Sequence, residues 1–265
     1  MLPVITTIGP LTIYSFGLLL GIGLLAGTYY VWKHGRAASL PEERLLDGVL
    51  VTVVGGLVGA RILYVLSNLG LYTEDLLSVA AFWKGGLSWW GVILGGVLTI
   101  LFLSRKFRWP AGQMFDLAAP AVALGAFFGY IGAFLNGSSY GGETDFIWGV
   151  REQGLSGLRH PSQLLEAGLQ ALILVILLRF RKRAPFAGFL ALNYLILYSI
   201  GRFVLEFFRG DQTNLLGPFS QAHLISVIVG TICLLLLYLR LARLQGSWRV
   251  NIWKELTGRK NYGPD

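Results

Sequence analysis

The sequence predicts an all-α integral membrane protein with seven transmembrane helices, its N-terminus outside and its C-terminus cytoplasmic. Three observations carry this. Hydrophobic side chains make up 54% of the 265 residues and charged ones 14%, whereas an ordinary soluble domain carries about 25% charged residues. Uncharged apolar runs recur at about the 20-residue length a helix needs to cross the hydrocarbon core. Lysine and arginine gather in alternate connections. The same balance excludes a cytosolic enzyme, a disordered tail and a disulfide scaffold, and the single cysteine, Cys233, allows neither an internal disulfide nor a thiolate metal site.

The elements follow in order. Residues 1–32 hold no Asp, Glu, Lys, Arg or His, so the first run, Leu11–Val31, lacks the basic flank of a cleavable signal and reads as a retained span. Six more lie at Leu46–Ser67, Gly86–Leu103, Phe115–Leu135, Pro161–Leu178, Phe186–Phe207 and Phe219–Leu239. Short connections make residues 1–245 one seven-helix transmembrane domain, with 246–265 as a basic cytoplasmic tail. Trp248, Ile252, Trp253 and Leu256 in that tail suit the inner membrane surface, a solvated tail being the alternative. Most of the 35 glycines sit in apolar runs and read as points of close helix packing.

Orientation follows from the cations. With the N-terminus outside, the cytoplasmic segments hold Lys33, Arg36, Arg44, Arg105, Lys106, Arg108, Arg179, Arg181, Lys182, Arg183 and the basic residues from Arg240 to Lys260, which is 16 of the 22. The net charge of +8 is then mostly topology, and a nucleic-acid partner loses its support.

Ionisable residues within spans are expensive and mark function. Asp47 and Asp116, at the cytoplasmic starts of spans two and four, read as helix-end electrostatics. The rest converge on the outer leaflet level from separate helices: Arg61, Asn136, Gly137, His160, Gln163, Glu166, Arg202, Glu206 and Arg209. Arg202 and Glu206, four residues apart, share one helix face. Arginine offers a permanently charged fork suited to phosphate, and Glu206, Glu166 and His160 are the groups able to position arginines or move protons. From residues alone this is an outer-facing intramembrane site for an anionic lipid head group. Snorkelling arginines with a structural Arg202–Glu206 pair are the bland alternative.

The motifs run in a recognisable order: Ser15-Phe16-Gly17-Leu18-Leu19, Gly59-Ala60-Arg61-Ile62-Leu63-Tyr64-Val65, Gly85-Gly86-Leu87-Ser88 with Gly95-Gly96, Asn136-Gly137 with Tyr140-Gly141, Arg159-His160-Pro161-Ser162-Gln163-Leu164 with Glu166, and Gly201-Arg202-Phe203 with Glu206-Phe207 and Arg209. On these the chain resembles the prolipoprotein diacylglyceryl transferases of bacterial inner membranes. The resemblance implies a multi-pass protein of the bacterial plasma (inner) membrane. It implies transfer of the diacylglyceryl group of phosphatidylglycerol to the lipobox cysteine thiol of preprolipoproteins, the first step of lipoprotein maturation. The implied partners are phosphatidylglycerol, preprolipoprotein signal peptides and membrane lipid, with no cofactor. It also assigns catalysis to Arg202 and Glu206, and lipid and phosphate binding to Arg61, Asn136, Gly137, Tyr130, Arg159, His160, Gln163, Glu166 and Arg209. The chain differs from the family pattern at Trp90 (often histidine), Tyr130 (a phosphatidylglycerol-binding arginine), Ala133 (asparagine), Ser138 (glutamate) and Gly142 (arginine). It differs also at Phe16 and Leu165 (tyrosines) and at His223 (glutamine). His223 reads either as a substitute base or as an interfacial hydrogen-bonded side chain. A catalytically silent or substrate-shifted relative that binds lipid or lipoprotein precursor without this transfer is the alternative function.

Overall fold

A computed structural model describes residues 2–9, 11–72, 76–151, 154, 156–212 and 214–257, with backbone alone at 8, 11, 76–77, 84, 214–216 and 245–257. Among these residues seven helices are long and apolar enough to cross a membrane. They are α1 (Ser15–Ala37), α2 (Glu42–Ser67), α3 (Trp89–Phe107), α4 (Ala111–Asn136), α5 (Ser162–Phe180), α6 (Phe189–Leu205) and α7 (Gln221–Thr257). Prolines set three of the starts: Pro41, Pro110 and Pro161 stand immediately before α2, α4 and α5. There a fixed φ is compatible with helix entry and the missing N–H costs nothing. Gly137, in the left-handed conformation at φ 72°, closes α4.

The bundle is not packed in simple chain order. α1 lies along α4, α2 along α3, α4 also along α5, and α6 along α7. Glycines bring α2 and α3 together: Gly55 and Gly59 face Gly91 and Gly95, and a Cβ on Gly59 would lie 2.5 Å from the Gly91 carbonyl oxygen. Each pair is four residues apart, the spacing that lets helix backbones touch in lipid, where hydrophobicity gives no drive for helices to associate. A second contact buries Ala119, Ile173, Leu177 and Leu190, tying α4, α5 and α6. The ends of α2, α4 and α6 and the starts of α1, α3, α5 and α7 make one end of the bundle, here the site end; Arg36, Arg44, Arg105, Arg108 and Arg179–Arg183 flank the opposite, basic end.

Several expectations need correction. Leu11–Tyr14, read as the beginning of span one, is strand β2, paired antiparallel with β1 (Val4–Ile8). An apolar run by itself does not tell strand from helix, and β-branched Ile5, Thr6, Thr7, Thr12 and Ile13 favour the strand. Phe219–Ser220 is likewise strand β4 against β3 (Asn214–Leu216), so α7 begins at Gln221. The backbone of α7 is helical from Gln221 to Thr257. The tail's side chains, including Trp248, Ile252, Trp253 and Leu256, lie outside the described residues, as do residues 258–265. Asp116 does not serve the start of its own helix: its carboxylate accepts the N–H of Gly188 (2.7 Å) and of Ala191 (2.9 Å), capping α6. Asp47 is exposed on α2.

Candidate functional site

α5 enters the bundle directly after Pro161, which turns Ser162, Gln163 and Glu166 inward, all buried. α6 ends one turn beyond Arg202, and its last residues tighten into a 3-10 turn, Glu206–Phe208. Three elements then meet at Arg202. Its Nη1 pairs with Glu166 Oε1 and its Nη2 with Glu206 Oε2 at 2.5 Å. Glu206 Oε1 accepts the Ser220 hydroxyl at 2.6 Å. Glu166 Oε2 is buried and takes no hydrogen bond among the described residues. Arginine has five N–H donors, so three on Arg202 stay unengaged among those residues. Two carboxylates around one guanidinium leave the cluster one negative charge in excess, a state that burial disfavours unless a proton or a cationic donor completes it.

Deeper in the bundle, Tyr130 and Tyr198 hydroxyls lie 3.3 Å apart and Tyr194 donates to Gln170 at 3.4 Å. These hydroxyls form a column of neutral donors that includes Tyr130. At the site end the α4–α5 and α6–α7 connections are stitched together by the Gly142 N–H on the Phe208 carbonyl (2.9 Å) and the Gly210 N–H on the Tyr140 carbonyl (3.0 Å). Asn136 donates to the Ser138 hydroxyl at 2.7 Å, and Gln163 donates to the Ser138 and Ser139 carbonyls, closing the turn that follows Gly137. His160 gives its backbone N–H to the Gly142 carbonyl at 3.0 Å, and its ring rests edge-on against Phe208. Arg159 bonds the Gly141 carbonyl (3.3 Å) and Glu143 (3.2 Å) and stacks over Tyr140, while Arg209 makes a two-pronged pair with Asp211 at 2.8 and 2.7 Å.

The predicted residues therefore fall into groups. Arg202, Glu206 and Glu166 form one bonded cluster. Asn136, Gly137, Arg159, His160, Gln163 and Arg209 build the connections around it. Arg61 belongs to neither: it is buried, and four of its N–H donors go to the carbonyls of Ser78, Val79, Gly85 and Gly86 at 2.6–3.0 Å, with its guanidinium over the Tyr72 ring. In this arrangement Arg61 ties down the α2–α3 connection and has little left for a phosphate. Arg159 and Arg209 pair with carboxylates of the connections, whereas Arg202 is paired with the buried carboxylates of Glu166 and Glu206. Sequence reasoning missed Ser220 and Tyr198. The signal for Ser220 was the weaker one of a serine just ahead of an apolar run; Tyr198 carried none.

Every element of this site lies inside the stretch from residue 3 to residue 239 that a family model described as prolipoprotein diacylglyceryl transferase matches. The chain belongs to this family. Its similarity to individual prolipoprotein diacylglyceryl transferases covers most of both chains. The phosphatidylglycerol–prolipoprotein diacylglyceryl transferase of Geobacter sulfurreducens is 34% identical over 232 residues, covering 84% of this chain and 89% of that protein. The protein of the same name from Sinorhizobium medicae is 35% identical over 229 residues, 80% and 81% of the two chains. That of Halalkalibacterium halodurans is 31% identical over 246 residues, 89% and 85%. The family is one of transferases, and the seven apolar helices make this member a multi-pass membrane protein. The match takes in all seven membrane-spanning segments up to residue 239 and leaves the last part of α7 and the C-terminal tail outside it.

Proposed function

We propose that this diacylglyceryl transferase moves the diacylglyceryl group of phosphatidylglycerol to the lipobox cysteine thiol of preprolipoproteins, in the inner membrane of a bacterium. The observation that carries this reading is Arg202, held between two buried carboxylates with donors left for an anionic ligand. The relatives' names supply the substrates. The basic end faces the cytoplasm by the positive-inside rule, which puts the Arg202 cluster, with the N-terminus, on the outer side.

The chemistry fits the cluster. The peptide thiol loses its proton, and the sulfur attacks the glyceryl carbon that bears the phosphate ester. The carbon–oxygen bond breaks, its electron pair leaves on the phosphate oxygen, and glycerol 1-phosphate departs from the new thioether. The free N–H groups of Arg202 bind the phosphate and stabilise the charge that develops on it. Glu206 and Glu166 hold the guanidinium in place, and Glu166 Oε2, the open acceptor, takes the thiol proton and so removes the cluster's excess negative charge as the anion arrives. Bound lipid reaches this level along the apolar outer faces of the helices, with its head group at the site end.

Complementation tests the reading without assuming which residues act. In cells depleted of their own transferase, expression of this chain restores growth and yields thioether-linked lipoprotein of raised mass. Good membrane expression with neither outcome defeats it.

A further inference from the structure

Glu206 opens the 3-10 turn after α6, four residues beyond Arg202, and with Oε2 on that guanidinium its Oε1 is left for a second partner to fix. Ser220, the residue before α7, does that. It is 3% exposed, and its hydroxyl donates to Glu206 Oε1 at 2.6 Å. A serine at a helix start ordinarily turns its oxygen toward the first free N–H groups of that helix. Here the oxygen faces Glu206, and His223 supplies the reciprocal half of the capping arrangement, its Nδ1 accepting the Ser220 N–H at 3.0 Å.

The Ser220 oxygen also lies 3.2 Å from His223 Nδ1. A hydroxyl has one hydrogen, and the carboxylate is the nearer and stronger acceptor, so the Nδ1 lone pair is left to the backbone N–H. A neutral ring that accepts at Nδ1 carries its proton on Nε2. That atom is buried without a hydrogen-bond partner among the described residues, and the ring is enclosed by Phe203, Phe207 and Phe219. His223 thus has no free lone pair with which to accept a proton, and its contacts are those of a helix cap.

We propose that Ser220 is a positioning residue for the transfer: its hydroxyl orients Glu206, Glu206 orients the Arg202 guanidinium, and His223 serves this only by fixing the start of α7. The proposal rests on the transferase reading. Its test uses the full-length enzyme in phosphatidylglycerol vesicles with a lipobox peptide. Ser220→Ala lowers kcat about 10-fold with KM for the lipid and the unfolding temperature little changed. Ser220→Thr, which keeps the hydroxyl, recovers most of the rate, and His223→Gln, which keeps an acceptor for the cap, stays within about twofold of the parent enzyme. An unchanged rate in Ser220→Ala, or a rate in Ser220→Thr as low as in Ser220→Ala, overturns the proposal. So does a large loss in a well-folded His223→Gln. A second readout does not depend on turnover. The infrared carboxylate band identified by its absence in Glu206→Gln shifts in Ser220→Ala and not in His223→Gln. No shift overturns the contact itself, whereas a shift in an enzyme that transfers nothing defeats only the transferase reading.

Discussion

Two arginines near the same end of the bundle, Arg61 buried and Arg202 half-buried, are put to opposite uses. Arg61, on α2, gives four N–H donors to backbone carbonyls of the connection leading to α3. Arg202, on α6, is held by side-chain carboxylates from α5 and from the turn after α6, and keeps most of its donors. Backbone carbonyls are neutral and fixed, so an arginine bound to them is a fastening whose charge is screened in place. Carboxylates carry charge and can accept a proton, so an arginine bound to them has a charge balance that a ligand can alter. The residue type is the same; what differs is whether the partner can change state.

The contrast is broken or sharpened by substitution. The largest effect belongs to Arg202→Lys, which keeps the charge and loses the fork: thioether product per folded molecule falls about 100-fold or more, as on removal of one donor to a developing anion. Glu166→Gln follows, with a loss in kcat of about 100-fold for a removed proton acceptor, measured in the same vesicle assay. Arg61→Lys moves a different observable. A lysine has three donors and no fork for four carbonyls, so at least one loses its donor, stability falls by about 2 kcal/mol and proteolysis in the 76–86 connection quickens, while turnover of the folded fraction stays within a few-fold. A loss of turnover in Arg61→Lys equal to that in Arg202→Lys collapses the distinction. Cys233→Ser, buried on α7 away from both networks, leaves turnover unchanged.

The helices were legible because length and hydropathy suffice to define a span. The strands were not, since Leu11–Tyr14 and Phe219–Ser220 are as apolar as the helices they precede. Arg202, Glu206 and Glu166 could be read as a group because each is charged and each falls at one level of its own helix. Arg61 met the same criteria, but its partners are main-chain oxygens, and no side chain in the sequence announces where a carbonyl will point. Asp116 shows the same limit from the other side: the anion was plain, but the N–H groups it serves belong to α6, 72 to 75 residues further on. The resemblance to the transferase family carried what residue chemistry alone could not, namely the lipid donor and the thiol acceptor.

That Asp116 contact bears on how the chain assembles as it is made. The opening turn of α6 exposes amide hydrogens that lipid cannot satisfy, and the carboxylate that receives two of them arrives earlier, on α4. α1 stands in the opposite order: its glycine face, Gly23 and Gly27, rests on Ala121 and Gly125 of α4, a helix that follows it in the chain, while α1 also touches α2. α4 therefore offers a seat both to a helix made before it and to one made after it.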